Sequence, residues 1–213
     1  ALHGSRATLG DIDPTTLTLI TNLGNLLQAQ GDLKGAKPLL QEALQGCRLM
    51  LGGTNPETVG SIVNLGSLLQ ASGDLEGAAP LLREALQARR ATLGVADAET
   101  QQSIYALASL LKAQGDLEGA APLLREALQV RRDTLGDTHP LTLQSIYALA
   151  SLLKAQGDLE GAALLFREEL EACAKCYGRT HKETQGSAKN LTKLLEAMGR
   201  DLEAAQLASD SEC

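Results

Sequence analysis

The 213-residue sequence has no tryptophan, one phenylalanine and three tyrosines, so aromatic residues make up 2% of it. A core without large rings must be filled by Leu, Ile, Val and Ala, which suits helices packed at close range. A basic excess is also missing: the formal net charge is −7. Proteins that grip nucleic acid by its phosphates show the opposite balance or a basic patch, so no nucleic-acid partner is expected. No apolar run approaches the ~18–20 residues that cross a bilayer, and no charged-then-apolar leader opens the chain, so no membrane span is expected. The four cysteines, Cys47, Cys173, Cys176 and Cys213, are too unevenly spaced for a disulfide framework, and a reducing, cytoplasmic compartment is the expectation. What remains is a globular balance, 44% hydrophobic and 21% charged, rather than the composition of a disordered chain.

The sequence is strongly repetitive. "QSIYALASLLKAQGDLEGAA" stands at Gln102–Ala121 and again, letter for letter, at Gln144–Ala163. Gly-Asp recurs at Gly31, Gly73, Gly115 and Gly157, in steps of 42, with a fifth mark at Gly199 where Arg200 replaces the Asp. Leu-Gly keeps the same step at Leu9, Leu51, Leu93 and Leu135, then becomes Tyr177-Gly178. A fixed period of this size is the signature of a solenoid. Between the marks, Leu19, Ile20, Leu23, Leu26 and Leu27 follow the spacing of one helix face. Asp13-Pro14 and Asn55-Pro56 place a capping residue before a proline at the first helical position, and Asp97, His139 and His181 occupy the same phase. Asp32, Asp74, Asp116 and Asp158 cap a second helix after a Gly that ends the first, and the Gly of each Leu-Gly mark, free to turn left-handed, ends the second. Each repeat is therefore a pair of helices of about 17 and 18 residues, and no strand pattern appears.

The expected organisation is a single solenoid: a helix remnant over 1–10, then repeats over 11–52, 53–94, 95–136, 137–178 and an incomplete 179–213. The ends look like cuts through a longer array, or like the caps of an array that have degenerated, with Asp210 and Glu212 giving one end a polar tail. Pro38, Pro80 and Pro122 fall inside the second helices at one phase, where each removes a hydrogen bond. The run "REALQARR" at Arg83–Arg90 reads as the solvated face of an outer helix. Cys173 and Cys176 lie late in a helix, away from the N-terminal position that activates a redox pair, and lack further ligands for zinc.

No catalytic constellation stands out. His3, His139 and His181 sit at chain or helix ends, the Gly-rich "GDLEG" is an inter-helix turn, and Glu76, Glu118 and Glu160 repeat at solvent phases without converging. The chain is expected to be neither an enzyme nor a cofactor or metal binder.

Ile20, Leu23-Gly24, Leu27, Ala36 and Leu40, and again Ile62, Leu65-Gly66, Leu69, Ala78 and Leu82, resemble the tetratricopeptide repeat. In the third and fourth repeats Ala108 and Ala150 take the small position, and Leu124 and Phe166 the late large one; the fifth departs, with Ala188 for Ile and Thr192 for Gly. Ordinary repeats of the family have about 34 residues; a period of 42 looks like the kinesin light chain subclass. The resemblance implies an all-α fold, a right-handed solenoid of antiparallel helix pairs whose first helices line a concave groove that takes an extended peptide. The groove positions it implies, one turn from the buried Leu-Gly pair, are Thr21, Asn25 and Gln28; Asn64, Ser67 and Gln70; Gln102, Tyr105, Ser109 and Lys112; Gln144, Tyr147, Ser151 and Lys154; and Lys189 and Lys193. Asn25 and Asn64 match asparagines that hold peptide backbone in the family. The variant that clamps a terminal carboxylate wants basic residues where Thr21 and Ala106 stand, so that reading is disfavoured.

Two of three tyrosines and four lysines thus fall on the expected groove of an acidic protein, the surface an acidic peptide with an apolar anchor would need. The expected function is a protein-interaction adaptor holding a linear, acidic segment of a partner. The alternative is a structural scaffold or spacer that docks through its edges or outer face, as one of the subunits of a larger complex.

Overall fold

Helix boundaries follow from the caps. The structure, a computed structural model, describes the backbone of residues 2–212 and the side chains of residues 2–209. The tail residues Asp210 and Glu212, and Cys213, lie outside the described side chains. Eleven helices occur among the described residues: α1 (Leu2–Leu9), α2 (Pro14–Ala29), α3 (Leu33–Leu51), α4 (Pro56–Ala71), α5 (Leu75–Leu93), α6 (Ala98–Gln114), α7 (Leu117–Leu135), α8 (Pro140–Gln156), α9 (Leu159–Tyr177), α10 (Lys182–Ala197) and α11 (Asp201–Glu212). No strand is found among these residues.

Each even-numbered helix from α2 opens a pair. The Asp13 carboxylate accepts the Thr15 N–H at 2.8 Å, Asn55 that of Glu57 at 2.9 Å, and Asp97 that of Glu99 at 2.8 Å. His139 and His181 do the same through Nδ1, at 3.2 and 3.3 Å. The second helices are capped by Asp32, Asp74, Asp116 and Asp158, each accepting the N–H of the glycine three residues on, at 2.8–3.0 Å. That glycine is required: a Cβ at Gly77 would sit 2.8 Å from the Asp74 carboxylate. The Leu-Gly marks do use positive φ, but Gly52, Gly94, Gly136 and Gly178 have ψ of 161–169°, an extended rather than left-handed helical conformation. Gly157, at φ 85° and ψ 1°, is the true left-handed cap.

The chain forms two compact units, Ala1–Gln114 with α1–α6 and Gly115–Cys213 with α7–α11. In each, antiparallel helices pack on their sequence neighbours, and the core is Leu, Ile and Ala with Phe166 the one buried ring: Ile20, Ile62, Leu68, Ile104 and Leu110 in the first unit, Ile146, Leu152, Leu191 and Leu194 in the second. Ala36, Ala78, Ala120 and Ala162 are fully buried on the second helices, and a Cβ at Gly24 would press within 2.7 Å of Leu40. Leu26, expected on the packed face, is exposed.

The charged run on the second helices divides its labour. Arg83 is exposed, but Arg89 is buried, and so is its equivalent Arg131. The reading of this run as a solvated face is therefore corrected. Arg89 Nη1 donates to Ser103 Oγ at 2.8 Å and to the Glu99 carbonyl at 3.0 Å, tying α5 to α6. Arg131 Nη1 donates to the Leu141 carbonyl at 2.7 Å and to Ser145 Oγ at 3.0 Å, tying α7 to α8. A second set of arginines links successive second helices from outside: Arg6 with Glu42 and Arg48 with Glu84, both at 2.6 Å, and Arg132 with Glu168.

Candidate functional site: the first-helix faces and a cleft over α9

The sixteen positions expected to face a ligand all avoid the core. Thr21, Gln28, Asn64, Ser67 and Gln70 are half-buried and Asn25 exposed on α2 and α4; Gln102, Ser109 and Lys112 are exposed and Tyr105 half-buried on α6. In the second unit Gln144, Tyr147 and Lys154 are exposed and Ser151 half-buried on α8, while Lys189 and Lys193 are exposed on α10. Helical phase explains this: each lies on the side of its helix turned away from the buried Ile and Leu rows. Among the described residues, Lys112, Lys154, Lys189 and Lys193 enter no ion pair, so their charge is available to solvent or ligand.

The structure brings only some of these residues to one place. Between α8, α9 and the start of α10 an open cleft of about 640 Å³ is walled by Gln144 and Tyr147 on one side and Gly186, Ser187 and Asn190 on the other, with Glu169, Cys173 and Tyr177 along its base. Tyr147 is 44% exposed and rests on Phe166, ring centroids 5.9 Å apart. Gly186 stands where α6 and α8 carry Gln102 and Gln144; a Cβ there would meet nothing within 4 Å, so the missing side chain keeps the mouth open. At the far end Tyr177 stacks on His181, centroids 4.9 Å apart and planes 24° from parallel.

The base of the cleft is the part sequence reasoning missed. Glu169 is 8% exposed, and its Oε2 is buried without a hydrogen-bond partner. Burial pushes its carboxyl up from an ordinary 4.5 to about 7; a hydrogen bond from Ser187 offsets part of this, and the Glu183 charge adds to it. The same burial pushes the Cys173 thiol above its ordinary value, which keeps it protonated at neutral pH. The signal was present in the internal alignment: Ala43, Ala85 and Ala127 hold the phase that Glu169 occupies. Among the described residues no group of three or more His, Cys, Asp or Glu is placed to hold a metal ion, and no helix is long and apolar enough to cross a membrane.

Paired helices repeating every 42 residues around a narrow, ring-poor core define a helical-repeat interaction protein. The chain belongs to the tetratricopeptide repeat family, whose model matches residues 15–91 and 99–175. Repeats of this family mediate protein–protein interaction. The fold is similar to that of a putative kinesin light chain from Podosopora anserina with nearly identical TPR-like repeats: 25% identity, 94% of this chain and 95% of that one covered, TM-score 0.82. BtubC (BKLC) from P. vanneervenii shares the fold at 20% identity, over 99% of this chain and 85% of its own, with a TM-score of 0.76. The apo form of RapI does so at 13% identity, over 92% and 68%, with a TM-score of 0.74. No curated protein matches the chain.

Proposed function

We propose that this protein is a non-enzymatic adaptor that holds an extended segment of a partner protein along the first-helix faces. The observation that carries this reading is the open cleft beside Tyr147: an exposed ring on a buried partner ring, flanked by polar side chains without a neighbouring side chain to close over them. An aromatic anchor with a polar surround is how interfaces concentrate binding energy. Lys112, Lys154, Lys189 and Lys193, which form no ion pair among the described residues of a protein of net charge −7, favour acidic character in most of that segment.

The scaffold reading draws on a different observation. Leu49, Leu164 and Leu202 on the second helices are 71%, 65% and 90% exposed, the kind of apolar surface an edge contact would cover. A peptide-display selection against the chain, run beside the Tyr105→Ala/Tyr147→Ala double variant, separates the two. Enrichment of acidic segments that is lost in the variant, with its thermal unfolding retained, supports the groove; a loss of ~1–3 kcal/mol is the scale of ring burial. A well-folded bait that enriches nothing moves the reading to the scaffold.

A further inference from the structure

The repeat supplies its own template for what belongs in the cleft. Arg89 and Arg131 each lay a guanidinium between one helix pair and the next, donating to a serine hydroxyl and a backbone carbonyl. One period on from Arg131 the sequence has Cys173, while the acceptors persist: Ser187 stands where Ser145 did, and Glu183 where Leu141 did. The short thiol reaches only Ser187 Oγ, at 3.5 Å. One turn before Cys173, on the same helix, the repeat's alanine has become Glu169, more than nine-tenths buried, lining the cleft with an unpartnered Oε2. So the guanidinium has been removed, its acceptors kept, and a carboxyl added.

We infer that the cleft over α9 is a receptor for a guanidinium group, supplied by an arginine side chain of the partner segment. The planar cation would enter past Gly186, place its N–H groups on Glu169 and Ser187, and lie against the exposed face of Tyr177, which is stacked on His181. Guanidinium fits better than ammonium because the acceptors are those that hold Arg131, and because a carboxylate takes its fork in parallel hydrogen bonds. Glu183 adds negative charge at the rim, although its own side chain pairs outward with Lys182 at 3.7 Å. The lysines of α10, Lys189 and Lys193, do not line the cleft. The first repeat provides an internal control: Cys47 and Ser61 form the same 3.5 Å contact, but Ala43 stands in place of the carboxyl, so the anionic partner for a guanidinium is missing at that phase.

This inference rests on the adaptor reading only for the source of the cation, and it assigns that segment one basic anchor within otherwise acidic surroundings. The test uses the full chain and two variants that restore residues the repeat already tolerates, Glu169→Ala and Cys173→Arg. The first removes the carboxyl; the second fills the receptor from within. N-acetyl-argininamide is titrated into each and followed by backbone amide NMR shifts. Saturable shifts confined to the segments that line the cleft, α8, α9 and the first half of α10, and weakened at least tenfold in both variants, establish the receptor. No shifts in the wild type, or equal shifts in Glu169→Ala, overturn it.

A second arm compares an extended acidic peptide bearing one central arginine with the same peptide bearing citrulline. At least tenfold tighter binding of the arginine form, lost in Cys173→Arg, confirms the peptide source. Acidic peptides that bind equally well with citrulline overturn the receptor and leave the groove standing. Binding of N-acetyl-argininamide without any peptide binding does the reverse.

Discussion

At the residue scale, the informative positions are those where one repeat differs from its siblings. The caps were legible directly, because Asp, Asn and His before a proline or after a glycine have few other reasons to recur. Arg89 and Arg131 were not. A run of charged residues on a helix usually marks a wet face, and only the pairing of each arginine with a serine fourteen residues on tells which member turns inward. Glu169 was hidden for the same reason: amid "FREELEA" it looks like one more surface carboxylate, and only the three alanines at its phase mark it as buried. Its cost is predictable. A carboxyl held near 7 in the fold and near 4.5 when unfolded keeps its proton longer in the folded state. Stability is therefore highest below the unfolded value and is lost as pH rises through about 7. Between pH 5 and pH 8 the wild type should lose roughly 2 kcal/mol relative to Glu169→Ala, read from urea midpoints. Parallel pH profiles for the two proteins would mean that the carboxyl is not desolvated.

At the element scale, what counts is how closely two helices of a pair approach. The small residues of the first and second helices set that distance, and they were legible because Gly24, Gly66, Ala108 and Ala150, and Ala36, Ala78, Ala120 and Ala162, each recur at one phase of the 42-residue period. The expectation failed at one repeat and not at one phase: Leu26 is exposed, although Leu68, Leu110, Leu152 and Leu194, which hold the same phase in the later repeats, are buried. Ala162 of the fourth repeat has no exposed surface. Enlarging it leaves the paired helix no room to yield without moving the backbone, so Ala162→Leu should cost roughly 1–3 kcal/mol. Leu164, two residues on and 65% exposed, is the matched comparison, and Leu164→Ala should stay within about 0.5 kcal/mol. Thermal unfolding of both variants decides it, and equal shifts would show that the inward phase of α9 has been misassigned.

At the scale of the whole molecule, the fold class followed from two properties, a period of 42 and a core without large rings, and neither depends on any single residue. The site did not follow in the same way, because a repeat specifies its unit many times over but its departures only once. The same redundancy shapes energetics. Within each compact unit, helices pack chiefly on their sequence neighbours, so stability is close to a sum of local pair terms with little long-range cooperation. Leu194 of α10 is fully buried, and Leu194→Ala should cost about 2–5 kcal/mol where it sits. In a molecule held together by neighbours, that loss should stay local. Hydrogen exchange should accelerate in α9, α10 and α11, while α2 to α5 keep the protection they have in the wild type. Acceleration spread evenly over all eleven helices would instead reveal one cooperative folding unit, and the additive picture would have to be abandoned.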